Sequence, residues 1–151
     1  MSFIVAIDGP AGSGKGTVTK LVSEKLGLVN IGSGAAYRSV ALETINKKIS
    51  IDETQKIIDL LKEINIEFKT EQGKEVIYLN GNNVTDRIRQ KDVAKIVSQI
   101  SSIKEVRFRL NEIFRQCAKY QDVIMEGRDI GTYVFPCYIH QNFGQKLFTF
   151  S

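Results

Sequence analysis

Phe3-Ile4-Val5-Ala6-Ile7-Asp8-Gly9-Pro10-Ala11-Gly12-Ser13-Gly14-Lys15-Gly16-Thr17 is the stretch that decides the fold. Phe3 to Ile7 is continuously apolar and β-rich, the pattern of a strand buried on both faces, as in a parallel sheet. It stops at Asp8-Gly9-Pro10. From Thr17 the period changes, and Val18, Leu21, Val22 and Leu26 recur at helical spacing until Gly27, a helix stop. The segment between is rich in glycine. Glycines let successive backbone N–H groups turn inward around a polyphosphate, and the helix that starts there adds its positive dipole end. Lys15 supplies a mobile point charge for the β- and γ-phosphates. Strand, glycine loop and helix together read as a phosphate-binding loop; the plainer reading is a glycine-rich turn with a surface lysine.

Outward from this stretch, strands and helices alternate. Leu28 to Ile31 reads as a second short strand leading into Gly32-Ser33-Gly34, followed by a helix carrying Tyr37, Val40, Ala41 and Ile45. Asp52 is placed to cap the next helix, with Ile57, Ile58, Leu61 and Ile64 on its apolar face. Ile64, Ile66 and Phe68 then alternate, Gln72-Gly73-Lys74 is a turn, and Val76 to Leu79 is a strand ending in the tight-turn signal Asn80-Gly81. Two helices follow, one with Val93, Ala94, Ile96, Val97 and Ile100, the other with Val106, Leu110, Ile113, Phe114 and Cys117. Val123-Ile124-Met125 is again a buried strand, with Glu126-Gly127-Arg128-Asp129 at its end. The pattern is an α/β parallel sheet flanked by helices with a small β-containing insert, and ligands are expected at the carboxyl ends of the strands. Asp8 to Thr17, Gly32 to Arg38 and Glu126 to Asp129 all fall at such ends, with Arg38 and Arg128 in strand-end loops.

Composition narrows the chemistry. The 151 residues are 42% hydrophobic and 25% charged, ordinary for one globular domain able to bury a core without staples. The net charge of +4 suits an anionic ligand and does not argue for nucleic acid. Cys117 and Cys137 form no framework, which points to a reduced, cytoplasmic setting. A single histidine, His140, leaves no ligands for a zinc site and no sensible partners for a Ser/His/Asp triad. The apolar amino terminus is too short for a secretory signal, and no window approaches a membrane span.

The general phosphate-loop pattern wants Ser or Thr directly after the lysine, whereas here Gly16 intervenes before Thr17. That GKGT variant resembles the loop of nucleoside monophosphate kinases. Such an enzyme needs a clamp for a doubly charged acceptor phosphate, and arginine forks are the natural one. The resemblance sharpens in Ser33-Gly34-Ala35-Ala36-Tyr37-Arg38, in Arg89 to Arg107 with Val97-Ser98-Gln99, and in Met125-Glu126-Gly127-Arg128-Asp129-Ile130-Gly131-Thr132-Tyr133-Val134-Phe135-Pro136. From Ile4 to about Pro136 the chain resembles the bacterial cytidylate kinases.

That resemblance implies transfer of the γ-phosphoryl of ATP, with magnesium, to CMP or dCMP. It implies that Gly9, Pro10, Ala11, Gly12, Ser13, Gly14, Lys15, Gly16 and Thr17 hold ATP. Ser33, Arg38 and Arg128 would hold the acceptor's phosphate and ribose side, with Lys15, Arg38 and Arg128 carrying the transfer. Ser98, Arg107 and Asp129 would read the cytosine edge. Cytosine offers an amino donor for Asp129 or Ser98, and a carbonyl and ring nitrogen for Arg107. Plainer readings exist: an idle helix serine at Ser98, a surface charge near Glu105 and Glu112 at Arg107, a turn former at Asp129. Asp8 and Glu126 either position magnesium through water, with no direct protein ligand required, or are solvated strand ends.

The resemblance divides the chain into an incomplete kinase domain, 1–136, with an insert at about 64–88 that resembles the family's monophosphate-binding region, and a tail, 137–151, unlike the family. A further carboxy-terminal strand and the arginine-bearing lid are expected to be missing. Val123 to Met125 would then lie near a sheet edge. Read one nucleotide out of phase from the Cys137 codon, the tail permits a β-rich strand with the family's Lys-Ile, the pattern of a frameshifted, truncated product. The two functional classes are a monophosphate kinase and a catalytically dead nucleotide-binding fragment. The expected partners are small nucleotides, without nucleic acid or membrane, bound by a monomer.

Overall fold

A computed structural model describes residues 2–135 and the backbone of 146–150. The tail positions 136–145, including the out-of-phase segment, lie outside the described residues. The chain forms two compact units, one from Met1–Ser33, Phe68–Glu75 and Phe114–Ser151, the other from Gly34–Glu67 and Val76–Ile113.

The first unit is built on a four-stranded parallel sheet in the order β2-β6-β1-β7. Its strands are β1 (Phe3–Asp8), β2 (Val29–Ile31), β6 (Val123–Gly127) and β7 (Lys146–Phe150). β6 pairs with β1 from Ile4↔Val123 to Asp8↔Gly127, and with β2 from Val29↔Val123 to Ile31↔Met125. Val123 to Met125 thus lies near an edge, as expected, one strand in from it, with β2 outside. β6 has a strand on each side, and its residues Val123, Ile124 and Met125 are fully buried. The place beside β1, where a strand was expected to be lacking, is taken by β7 from the tail, in register from Phe3↔Lys146 to Ile7↔Phe150. Pairing along β1 gives its backbone N–H and C=O groups partners on both sides.

Helix α1 (Lys15–Leu26) connects β1 to β2 and ends at Gly27, whose N–H bonds the Ser23 carbonyl. It starts two residues earlier than the apolar period suggested. Its expected core stripe is also largely uncovered: Val18, Leu21 and Leu26 are 50%, 52% and 64% exposed, while Thr19 and Ser23 are buried. Val18, Val22 and Leu26 line, with Phe3, Val5 and Ile7, a groove of about 730 Å³. Helical periodicity reports that a helix has an apolar side, not that anything covers it.

The second unit holds most of α2 (Ser33–Asn46), α3 (Thr54–Leu61), α4 (Lys91–Ser102) and α5 (Lys104–Tyr120). Val40, Ile57, Leu61, Val93, Ile100 and Leu110 are among its buried side chains. Arg109 on α5 donates from Nε to the Leu61 carbonyl (3.0 Å) and from Nη2 to the Ile64 carbonyl (3.4 Å), satisfying acceptors at the end of α3 and just past it. The residue before α3 is Glu53, not the expected cap Asp52. The Glu53 carboxylate reaches back to the Ser50 N–H (3.0 Å) and pairs with Lys56, a role the shorter Asp52 side chain does not take.

The insert forms a three-stranded sheet in the order β3-β4-β5, with β3 (Ile66–Glu71), β4 (Lys74–Leu79) and β5 (Asn82–Asn83). Both expected turns are present. Gln72-Gly73 and Asn80-Gly81 each have positive φ at both central positions, the hairpin geometry that matches strand twist. Asn80 also bonds the buried Glu43 (3.3 Å) and accepts from the Asn65 N–H (2.9 Å).

Candidate active site

The loop between β1 and α1 is held by its own side chains. Ser13 Oγ donates to the Pro10 carbonyl at 2.8 Å, and Lys15 Nζ donates to the same oxygen at 2.7 Å. Gly14 precedes α1 with φ 81°, in the left-handed region that glycine favours. No side chain caps the helix. The first helical bond is Val18 N–H to Gly14 carbonyl, at 3.2 Å. The amides of Lys15, Gly16 and Thr17 therefore have no partner within the helix and open at its positive end, the arrangement that accepts phosphate.

Beside it, the loop after β6 is joined to the end of β1. Gly9 N–H donates to the Gly127 carbonyl at 3.1 Å. Gly127 is fixed by space rather than by torsion, because a β-carbon there would stand 2.6 Å from Ile130 Cδ1. Arg128 and Asp129 follow, both exposed. Residues Ile130–Val134 then form one wide helical turn, with the Asp129 carbonyl accepting from the Tyr133 N–H at 2.8 Å.

A space of about 470 Å³ opens where these loops meet, lined by residues that include Lys15, Gly16, Thr17, Ser33, Glu126 and Arg128. Glu126 is half-buried, and its Oε1 would lie 3.4 Å from a β-carbon on Gly16. One carboxylate thus stands against the phosphate loop with Thr17 lining the same space, a set of oxygen donors that fits a magnesium ion keeping most of its waters. Among the described residues there is no cluster of three or more potential metal ligands. Asp8, the other carboxylate considered for that task, has both oxygens on backbone amides: Oδ1 on Ile130 (2.8 Å) and Oδ2 on Gly131 (3.0 Å).

The remaining expected residues belong to the second unit. Arg38 is half-buried in α2, which begins at Ser33, so the expected loop position for Arg38 is wrong; Gly34 is taken into the first helical turn. Ser98 is exposed on α4, its carbonyl accepting from Ser101 Oγ at 2.9 Å. Arg107 is exposed on α5. Lys15, Ser33 and Arg128 are thus brought together in the first unit, which also carries Asp129, while Arg38, Ser98 and Arg107 are carried by the second.

Sequence reasoning missed Arg115. Its Nε donates to the Val134 carbonyl at 2.7 Å and its Nη2 to the Tyr133 carbonyl at 3.1 Å, closing the far end of the turn that follows Asp129. On α5 it reads as one more helix-surface arginine. Only the neighbouring carbonyls, reached through the fold, distinguish it.

Comparison with known proteins identifies the family. The cytidylate kinase family model matches residues 5–139. The chain is 46% identical over 132 residues to a cytidylate kinase of Caldicellulosiruptor saccharolyticus, covering 87% of this chain and 58% of the relative. It is 42% identical over 132 residues to a cytidylate kinase of Lactobacillus gasseri, covering 87% and 57%. It is also 46% identical over 136 residues to a bifunctional pantoate ligase/cytidylate kinase of Prochlorococcus marinus, covering 89% of this chain and 27% of that one. The chain therefore spans less than two thirds of the length of these relatives. No helix among the described residues is long and apolar enough to cross a membrane. With an open phosphate loop, a facing carboxylate and the Arg128-Asp129 turn in one unit, and with the family model matching residues 5–139, the chain belongs to the cytidylate kinase family.

Proposed function

We propose that the chain carries out, or contributes the core of, ATP-dependent phosphorylation of CMP or dCMP to the diphosphate. The observation that carries this reading is the common space lined by Lys15, Glu126, Arg128 and Ser33 at the start of α1. In this reading the loop Gly9 to Thr17 binds ATP, with backbone amides on the phosphates and Lys15 as the counter-charge. Lys15 leaves the Pro10 carbonyl when a phosphate offers a stronger, charged acceptor. Ser33, Arg38 and Arg128 hold the acceptor phosphate, and Ser98, Arg107 and Asp129 select cytosine by hydrogen bonds to its edge. These roles follow from the family resemblance.

The reaction needs little covalent work from the protein. An ionised oxygen of the acceptor phosphate attacks the γ-phosphorus, that P–O bond forms as the bond to the β,γ-bridging oxygen breaks, and ADP leaves. No side-chain base is required. Magnesium, when bound, supplies charge neutralisation on the phosphate oxygens, and Glu126 with Thr17 would hold its water shell. The chain's own task is alignment and counter-charge. The setting this implies is the cytoplasm, acting on freely diffusing nucleotides.

The test is a coupled assay of this chain with ATP, magnesium and CMP, run beside UMP and AMP, with calorimetry for each nucleotide. Turnover with CMP above UMP and AMP supports the proposal. Binding of ATP and CMP without turnover assigns the chain the lesser role of a nucleotide-binding module. Equal use of all three acceptors refutes the cytosine assignment.

A further inference from the structure

Arg128 and Asp129 are exposed, yet the backbone on both sides of them is fixed. On the near side, Gly127 is paired with β1 and accepts from the Gly9 N–H. On the far side, the Asp8 carboxylate takes the Ile130 N–H at 2.8 Å and the Gly131 N–H at 3.0 Å, across more than a hundred residues of sequence. These are the first two amides of the turn Ile130–Val134, which no side chain of the turn itself satisfies. The far end of the same turn is held by Arg115 on the carbonyls of Tyr133 and Val134. A carboxylate thus closes the amide end and a guanidinium the carbonyl end, each matching the polarity of the groups it meets.

We propose that Asp8 and Arg115 are positioning residues that fix the aim of the Arg128-Asp129 tip, so that Asp8 serves the acceptor side of the site rather than the metal. The inference rests on the reading of that tip as acceptor-binding. A two-point arginine contact with phosphate depends on orientation as well as charge, so a tip free to rotate keeps its charge and loses its fork geometry. The Asp129 carbonyl ties the tip to the turn that follows it, and that turn is held by Asp8 at the end of β1 and by Arg115 on α5.

The test uses Asp8→Asn and Arg115→Met in the full chain. Asp8→Asn keeps the size but removes the charge and leaves one acceptor oxygen for the two N–H groups, the other facing an NH2 donor. Calorimetry with CMP and with ATP·Mg is combined with hydrogen exchange at the Ile130 and Gly131 amides. Loss of a hydrogen bond to a charged group predicts about tenfold faster exchange at these two amides in Asp8→Asn, and CMP affinity lowered by about the same factor in both variants. ATP·Mg affinity should be unchanged in Arg115→Met, which lies outside the phosphate loop and so isolates the effect on the tip. Faster exchange with unchanged CMP affinity would overturn the positioning role. Parallel loss of CMP and ATP·Mg affinity in Arg115→Met would also overturn it, because the effect would then be on the unit as a whole. Should the parent chain bind no CMP, the functional reading fails separately, and the clamp stands or falls on whether the two amides lose protection in Asp8→Asn.

Discussion

Gly16 and Glu126 stand so close that a β-carbon on Gly16 would lie 3.4 Å from Glu126 Oε1 and 3.9 Å from Oε2. The glycine that interrupts the usual lysine-to-hydroxyl spacing of the phosphate loop therefore borders a carboxylate from β6. Gly16→Ala puts a methyl group at the edge of contact with that carboxylate. Alanine in a helical position gains up to about 1 kcal/mol over glycine, so melting should hold or rise slightly. Magnesium-dependent ATP binding should fall, because the methyl group takes up space beside the Glu126 carboxylate where the water shell of the metal would lie. Calorimetry with and without magnesium checks this; a loss of the same size without the metal would separate Glu126 from it.

Lys15→Ala should remove most ATP affinity while leaving the loop folded. Ser13 Oγ still reaches the Pro10 carbonyl at 2.8 Å, so the loop keeps one of its two internal ties. A lost charge-assisted contact to phosphate corresponds to about 1.5–3 kcal/mol, tenfold or more in affinity. Unchanged calorimetric affinity in a normally melting variant would refute the loop's assignment.

Arg128→Lys should weaken CMP far more than ATP. Lysine retains the charge and loses the planar fork. Arg128 is exposed, and no hydrogen bond to it is needed to hold the turn, so stability should stay within about 0.5 kcal/mol of the parent. Equal weakening of both nucleotides in titrations would place Arg128 outside the acceptor site.

Local chemistry was the legible part of this protein. Strand, glycine loop and helix follow one another within Phe3 to Leu26, and each is specified by its own residues. Gln72-Gly73 and Asn80-Gly81 were readable because two consecutive positive φ values are a strictly local demand. What the sequence hid was set by partners far along the chain. The Asp8 carboxylate and the Ile130 amide are 122 residues apart, and no spacing rule connects them. The placement of β6 between β1 and β2 is hidden for the same reason. An apolar run shows that a strand is covered on both faces; it does not say which strands lie beside it.

The α1 stripe turns that distinction into a stability test. Leu26 is 64% exposed and Ile124 is fully buried, although both are apolar residues in strongly patterned segments. Leu26→Gln should change stability by no more than about 0.5 kcal/mol. Ile124→Ala removes buried methyl groups from the central strand and should cost about 2–5 kcal/mol. Urea melts of the two variants decide it. A large loss at Leu26 would show that the groove beside β1 is covered in solution.

Asp92 gives the acid limb of stability a specific origin. Its carboxylate takes two hydrogen bonds from Arg87, at 2.8 and 2.6 Å, and one from the Val93 N–H, at 2.9 Å. The Arg87 bonds hold the Asp92 carboxyl below its ordinary value against the opposing effect of burial, which comes next in size, with lesser help from the Val93 N–H and the attraction of the guanidinium. Lys56 and the Ser50 N–H do the same for Glu53, and Lys62 with Gln55 for Asp59. A folded-state value below the unfolded one means that the unfolded chain binds the proton more readily. The contribution is therefore complete above the unfolded value, about pH 4, and is lost as pH falls through the folded one. These pairs are exposed and salt-screened, so the effect is modest. Denaturant midpoints of the parent and of Asp92→Asn should differ at pH 7 and converge as pH falls below about 4, with the gap at pH 7 reduced in high salt. A constant gap across that range would show that Asp92 acts through packing at the start of α4 and not through its charge.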